Sequence, residues 1–431
     1  MRHTTPRPGV YYGWLIVATT FWMAIFTGGG RTGFGVFVLP MSAELGWSRG
    51  TISLAAALGA LISGVSQPFV GRLYDRVGGR WLILVCLLVS GLGTALLALT
   101  TNLVFLILVF GVVLSIAQAG SSLTTTSALL SKWFHRQRAT AMALTTTGSS
   151  VGGLLLVPLT AYLIGLVGWR IAWVVLGLLV LLLVVPVAFV LLRDDPEEMG
   201  LRPDGDAPLS ATEQAKPVLP GPLEVAYWRD AFRSTPMWQL CGGYAVCGFS
   251  IALLSTHFVP FAIERGFSPA TAASAYGLMS GLNVVGVLAV GALSDRCGRK
   301  LPLGVVYALR GCAYAALVGG PGDWSLWSFT VIMGFSYWAT APLTSSLTAE
   351  LYGLKHLGML NGVAFTGHQI GSSLGIQLGG LLRDLTGSYE LPFAIAALLL
   401  FAASLVSFGI QEKRYSARYQ ARPEPPVSYT G

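Results

Sequence analysis

Four ionisable side chains fall inside long apolar runs of this 431-residue chain: Arg31, His257, Arg310 and His368. Glu350 lies near the end of another run, and no Asp or Glu lies near the middle of any. A charge removed from water needs an opposite charge, so a cationic interior without carboxylates points to an anion as the ligand. Arg31, in GGGRTGFG, can clamp a carboxylate through two parallel N–H donors, or it can snorkel outward. His257 can carry a proton near neutral pH or donate to an anion; a neutral packing ring is the alternative. Gln118 and Tyr337 are related by an offset of 219. Both can hydrogen-bond a carboxylate or hydroxyl, or simply join neighbouring helices. His368, in the glycine-rich GHQIG, reads as a packing residue, and Arg310 as an inter-helix polar contact.

A second constellation lies in two polar loops. GRLYDRVGGR at 71–80 and GALSDRCGRK at 291–300 share one pattern at an offset of 220, carrying Gly71, Asp75 and Arg76 in the first and Gly291, Asp295 and Arg296 in the second. Asp75 and Asp295 can pair with arginines or accept from a facing helix N-terminus, latching one side shut in one of two packed arrangements. The basic residues around them can instead hold the loops at anionic head groups.

These residues must be positioned by membrane-spanning helices. The chain is 54% hydrophobic and only 11% charged, against about 25% charged in an average soluble domain. Apolar runs long enough to span lie near 12–39, 49–71, 81–100, 103–131, 138–166, 170–192, 235–263, 268–294, 302–319, 324–351, 357–383 and 390–410. They are continuous rather than alternating, which excludes a transmembrane β-barrel. The reading is an all-α membrane protein of twelve helices. Its halves are 1–192 and 235–411, joined by a polar linker, 193–234, and followed by a tail, 412–431. A second stretch repeats too, with 133–153 aligned on 351–371 and Gly148 on Gly367. Two halves of like orientation form a parallel repeat, with a substrate site expected between them near mid-membrane.

The basic residues set the orientation. With both termini cytoplasmic, 21 of the 27 Lys and Arg fall on the cytoplasmic side, and Arg49, Arg170, Arg265 and Arg383 outside. The net charge of +8 follows from that bias and needs no nucleic acid. Five cysteines without a CxxC spacing suggest neither a disulfide framework nor a zinc site. The N-terminus is basic and then apolar, but the run continues to about Leu39 without an A-x-A cleavage site, so it reads as a retained first helix. Trp14, Trp47, Trp81, Trp169 and Trp324 stand at helix ends as interfacial anchors.

The G-x3-D-R-x-G-x-[RK] loops after helices 2 and 8 resemble the signature of the major facilitator superfamily. Further segments are similar to its bacterial monocarboxylate transporter and oxalate:formate antiporter branch. These are YYGW at 11–14, FGVF at 34–37, KWFHRQRATAMA at 132–143, GWR at 168–170, PEEMGLRPDGD at 196–206, THFVPFAIERGFS at 256–268 and GHQIGSSLGIQLGGLLRDLTGSY at 367–389. The resemblance implies that helices 1, 4, 7 and 10 line the cavity. It implies polar aromatics near Gln118 and Tyr337, and a cation within one residue of Arg31. Relatives often carry a substrate-binding arginine where this chain has Val287, and some carry an acidic partner at Asn283. The departure puts carboxylate binding by helix 8 in question and leaves Asn283 as a polar candidate.

The expected function is secondary transport of a small organic anion, a monocarboxylate, across the cytoplasmic membrane by alternating access. Coupling is by proton symport or anion exchange. Export of a neutral or amphipathic compound and a sensor without flux are the alternatives. No enzyme motif, nucleotide-binding domain or cofactor site is present in the sequence. Membrane lipid surrounds the chain, which is expected to act as a monomer.

Overall fold

The structure, a computed structural model, describes residues 11–134, 138–205, 223, 225–320, 322–353 and 356–415; the side chains of 29–32, 68, 75, 123, 124, 131, 138, 139, 205, 295, 358, 413 and 415 are outside the description. Among the described residues every regular element is helical. Helix 1 is Tyr12–Thr32 and Phe34–Leu45, interrupted at Gly33. Helix 2 is Arg49–Val77, and helix 3 is Gly79–Leu96 with one further turn, Leu97–Leu99. Helix 4 runs from Leu103 to Gly120 through a π segment, Ile107–Leu114, and resumes as Leu123–Trp133 after a break at Ser121–Ser122. Helices 5 and 6 share the stretch Arg138–Leu179, broken at Gly168, whose φ of 79° favours glycine. Helix 6 continues through a second π segment, Val180–Val184, to Val185–Leu191. Helices 7, 8 and 9 are Thr235–Glu264, Pro269–Cys297 and Lys300–Gly319. Helix 10 is Gly322–Ser336 and Thr340–Tyr352, helix 11 Leu357–Thr386 and helix 12 Glu390–Phe408.

Eight stretches are long and apolar enough to cross a membrane by length and composition, and one of them, Thr140–Leu191, contains both helices 5 and 6. Helix 10 escapes that criterion because it is interrupted. Helix 11 escapes it because glycines and polar residues dilute its apolar content.

Local chemistry starts the elements in the same way in both halves. Ser48 accepts from Thr51 N at 3.2 Å to begin helix 2, and Ser268 accepts from Thr271 N at 3.0 Å to begin helix 8. Such caps satisfy one of the orphan N–H groups of a first turn. The tightest seams also repeat. Helix 5 packs on helix 1, where a Cβ on Gly152 would overlap the carbonyl oxygen of Ile25. Helix 11 packs on helix 7, where a Cβ on Gly371 would overlap the carbonyl oxygen of Ala245. The absent side chain lets the backbones approach closely, the usual basis of helix pairing in lipid.

The halves meet along helices 2 and 11, helices 5 and 8, and the second segment of helix 1 with helix 7. One end of the molecule carries the turns at Gly78 and Gly298 and is called the motif face. The other carries Leu45, Arg49, Glu264 and Thr386 and is called the far face. Two departures from the sequence reading matter. Helix 10 is interrupted at Tyr337–Ala339 rather than continuous. Trp169 is not an interfacial anchor: it is 4% exposed, and its Nε1 donates to Glu44 Oε2 at 2.5 Å. A carboxylate at the end of helix 1 draws the indole inward.

Candidate functional site

The far face is closed by ionic and capping contacts between the halves. Arg49 of helix 2 pairs with Glu264 of helix 7, and Glu264 also accepts from Arg383 Nε of helix 11 at 3.0 Å. Asp384 accepts from Gly50 N at 2.7 Å and Arg49 N at 3.3 Å, so helix 11 caps the first turn of helix 2 across the interface. The Arg49 guanidinium lies 5.4 Å from the Tyr389 ring centroid. His257 sits directly beneath. Its Nε2 lies 2.8 Å from Ile376 O, which fixes the proton there, because a carbonyl can only accept. Nδ1 is then the acceptor, 3.3 Å from the Tyr389 hydroxyl. Ser53 Oγ, from the other half, lies 3.4 Å from Nε2.

Within each half the far-face helix ends are stapled by a charge pair, and the sign is reversed between halves. In the N-terminal half, Arg170 Nε donates to Glu44 Oε1 at 2.9 Å and Nη1 to Ala98 O at 2.7 Å. In the C-terminal half, Arg265 Nη2 donates to Glu390 Oε1 at 3.2 Å and Val318 O at 3.1 Å. The Arg170 hydrogen bond, then that of Trp169, holds the Glu44 carboxyl below its ordinary range. The staple is therefore intact above the ordinary value and weakens only as pH falls through the lowered one.

At mid-depth Asn283 joins three helices. Its Oδ1 accepts from Ser150 Oγ of helix 5 at 3.2 Å, and its Nδ2 donates to Gly334 O of helix 10 at 3.2 Å. Just beyond, the break in helix 10 is splinted by Arg310. That side chain is 0% exposed. Its Nε donates to Ser336 O at 3.0 Å and its Nη2 to Ser336 O and Tyr337 O, the latter at 2.6 Å. Nη1 lies 3.3 Å from Cys247 Sγ on helix 7. An interrupted helix frees carbonyls that lipid cannot satisfy, and a guanidinium supplies several donors at once. Tyr337, released from helical register, bonds the Tyr276 hydroxyl at 2.8 Å. His368 stacks on Phe365 with ring centroids 5.8 Å apart.

The sequence candidates are thus distributed rather than gathered. Asn283 and Tyr337 share the surroundings of the helix 10 break. His257 belongs to the far-face closure. Gln118 lines a separate cavity in the N-terminal half, with no hydrogen-bond partner among the described residues. The backbone of Arg31 lies in the last turn of Tyr12–Thr32, and its side chain is outside the described residues.

On the motif face, Gly78 and Gly298 adopt φ of 88° and 89° with extended ψ, a region that only glycine tolerates. They turn the chain from helix 2 into 3 and from helix 8 into 9. At Gly71 and Gly291 a Cβ would meet nothing within 4 Å, so no close packing engages these positions in this conformation. Arg76 is exposed, Arg296 is exposed, and the side chains of Asp75 and Asp295 are outside the described residues. Arg299 Nε pairs with Glu350 Oε1 at 3.1 Å.

Two functional carboxylates escaped the sequence reading. Asp194 Oδ1 accepts from Arg80 N at 2.7 Å at the start of helix 3. Glu412 accepts from Arg299 N at 2.7 Å and Lys300 N at 3.0 Å at the start of helix 9. They are 218 residues apart, close to the repeat offset, and that was the available signal. Asp194→Ala and Glu412→Ala should each remove about 1 kcal/mol of capping. That corresponds to a drop of about 1 °C in thermal midpoint for a chain of this length. Hydrogen exchange at the Arg80 and Lys300 amides should rise, and unchanged protection there would deny the capping role.

A family model described as Major Facilitator Superfamily matches residues 20–376 and 284–429. Among relatives, the uncharacterized MFS-type transporter YcxA of Bacillus subtilis (strain 168) is 26% identical over 412 residues, covering 94% of this chain and 95% of that protein. Monocarboxylate transporter 13 of Bos taurus is 28% identical over 413 residues, covering 94% of this chain and 90% of the relative. A solved bacterial homolog of the human lysosomal transporter Spinster, in an inward-facing and unoccupied conformation, matches with a TM-score of 0.74 at 17% identity. The match covers 97% of this chain and 100% of that one, a likeness of fold. With twelve helices in two repeat-related halves and a family match along most of its length, the chain belongs to the major facilitator superfamily of membrane transporters.

Proposed function

We propose that this transporter moves a small organic anion, a monocarboxylate, across the cytoplasmic membrane by alternating access, with both termini and the motif face cytoplasmic. One observation carries the reading: the interior bears cations and no carboxylate at mid-depth. Arg310 is committed to the helix 10 backbone, which leaves Arg31 as the cation for an entering anion. Relatives named monocarboxylate transporters support the same substrate class. With the motif face cytoplasmic, the far-face closure makes this an inward-facing arrangement. Asp75 and Asp295 would latch the cytoplasmic side in the opposite state, when Gly71 and Gly291 come under close packing. Gln118, Asn283 and Tyr337 are the polar partners offered to the substrate.

Uptake of a panel of radiolabelled acids by proteoliposomes, with and without a pH gradient, tests the proposal. Accumulation of short-chain acids supports it, and absence of flux for every acid defeats it. Selective flux of uncharged compounds instead would favour an exporter of neutral or amphipathic molecules, the reading that Val287 on helix 8 recommends.

Under proton symport, His257 is the titrating group. In the closed far face both of its nitrogens are engaged, so a proton can reach Nδ1 only after the Tyr389 hydroxyl turns away. Loading and far-face opening are thereby coupled. His257→Gln should flatten the pH dependence of uptake between roughly pH 5 and 8 while sparing exchange. A profile identical to the parent would remove His257 from coupling.

A further inference from the structure

The N-terminal half holds a cavity of about 40 Å³ that lies between helices 1, 3, 4, 5 and 6, on one side of the interface between the halves. Five polar residues face it: Thr27, Ser90, Thr94, Gln118 and Trp173; the rest of the lining is apolar. Ser90 and Trp173 are 7% and 3% exposed. Ser90 Oγ and Trp173 Nε1 are both buried without a hydrogen-bond partner. Thr27 donates to Met23 O at 3.0 Å and keeps its lone pairs.

Both π segments of the half border this space: Phe110 and Leu114 come from Ile107–Leu114, and Val180 begins Val180–Val184. A π turn widens a helix locally, and such turns concentrate at functional sites. Here the two widened turns and the two orphan polar groups converge on one cavity. An empty or lipid-filled cavity would leave both orphans unsatisfied, at about 1–3 kcal/mol each. The lining holds no ionisable side chain, so an ion would enter without compensation. The occupant must therefore be small and uncharged. It must accept from an indole N–H and exchange hydrogen bonds with hydroxyls and an amide.

We propose that this cavity is an internal site for water, a resident cluster of roughly three molecules, running from Trp173 past Ser90 to Gln118. The cluster solvates the Gln118 amide from inside the N-terminal half. That amide can then turn between the water and a substrate without becoming unpaired.

The test uses full-length protein in nanodiscs, with indole ¹⁵N labels and the Trp173 resonance identified by its loss in Trp173→Phe. Trp133 is the internal reference, since its buried Nε1 donates to Arg193 O at 3.2 Å. After transfer to D2O, the Trp173 indole N–H should exchange about ten-fold or more faster than that of Trp133. Ser90→Val, which removes a hydroxyl and fills space, should bring the two rates together. If that variant fails to fold, Leu114→Phe fills the cavity from helix 4. Two outcomes overturn the proposal. Trp173 exchange as slow as Trp133, with xenon entering the cavity, means a dry site. Exchange unchanged on filling means that helix 6 opens and no resident water is involved.

Discussion

Arg31→Ala is expected to weaken binding of a small carboxylate by roughly 10- to 150-fold. An anion entering the membrane interior loses hydration and requires a compensating cation. Arg310 cannot serve, because its donors are spent on Ser336 O and Tyr337 O. Helix 8 offers Val287 and Asn283, neither of them charged. A bidentate guanidinium–carboxylate contact contributes about 1.5–3 kcal/mol, which sets the range. Arg31→Lys keeps the charge without the planar fork and should fall between the parent and Arg31→Ala. Val287→Arg in the Arg31→Ala background should restore part of the binding. The measurement is acid-induced thermal stabilisation in detergent together with uptake. If Arg31→Ala folds, reaches the membrane and binds acids as the parent does, the organic-anion reading fails.

Arg310→Leu should destabilise the protein by about 1–3 kcal/mol, the cost of leaving a buried carbonyl without its donor. The reason lies in helix 10. Its interruption strands the carbonyls of Ser336 and Tyr337, and one guanidinium satisfies both from helix 9. Leucine supplies no donor, so the Tyr337 carbonyl loses its partner and the Ser336 carbonyl keeps only the Ala339 amide at 3.3 Å. Arg310→Lys can satisfy only part of the set and should be intermediate. A thermal midpoint lower by about 1–3 °C is expected for a chain of this length. Exchange at the amides around Tyr337 and Thr340 should rise with it. Parental stability in Arg310→Leu would mean that the interruption supports itself.

The helical plan was legible because run length and charge asymmetry are compositional signals that survive any detail of packing. Among the described residues each of the twelve runs is helical, but helices 1 and 2 continue to Leu45 and Val77, and helices 4 and 10 are interrupted. The interruption of helix 10 has a local signal that run length hides: Pro342, in SYWATAP, has no N–H for the Trp338 carbonyl four residues earlier, and its ring crowds that carbonyl. Arg310, which the sequence marked only as a polar contact, then satisfies the carbonyls the break frees. Asp194 and Glu412 escaped for a different reason. They follow helices 6 and 12, far along the chain from the loops whose helices they cap. Trp169 carried the composition of an anchor, but a carboxylate at the end of helix 1 overrode its preference for the interface. The substrate candidates were chosen by residue type, and type alone does not distinguish His257 in a gate from Asn283 at a junction.

The reversed staples bear on how the chain sorts itself during membrane insertion. Two halves built from one repeat present near-equivalent helices, and a helix from one half can dock in the place of its counterpart. The charges oppose that error. If helix 12 took the place of helix 6, Glu390 would approach Glu44; if helix 6 took the place of helix 12, Arg170 would approach Arg265. The first sets two carboxylates together and leaves Ala98 O without its guanidinium donor; the second sets two guanidinium groups together. The inverted pairs thus act as a lock and key of sign, telling each half which of two similar helices is its own.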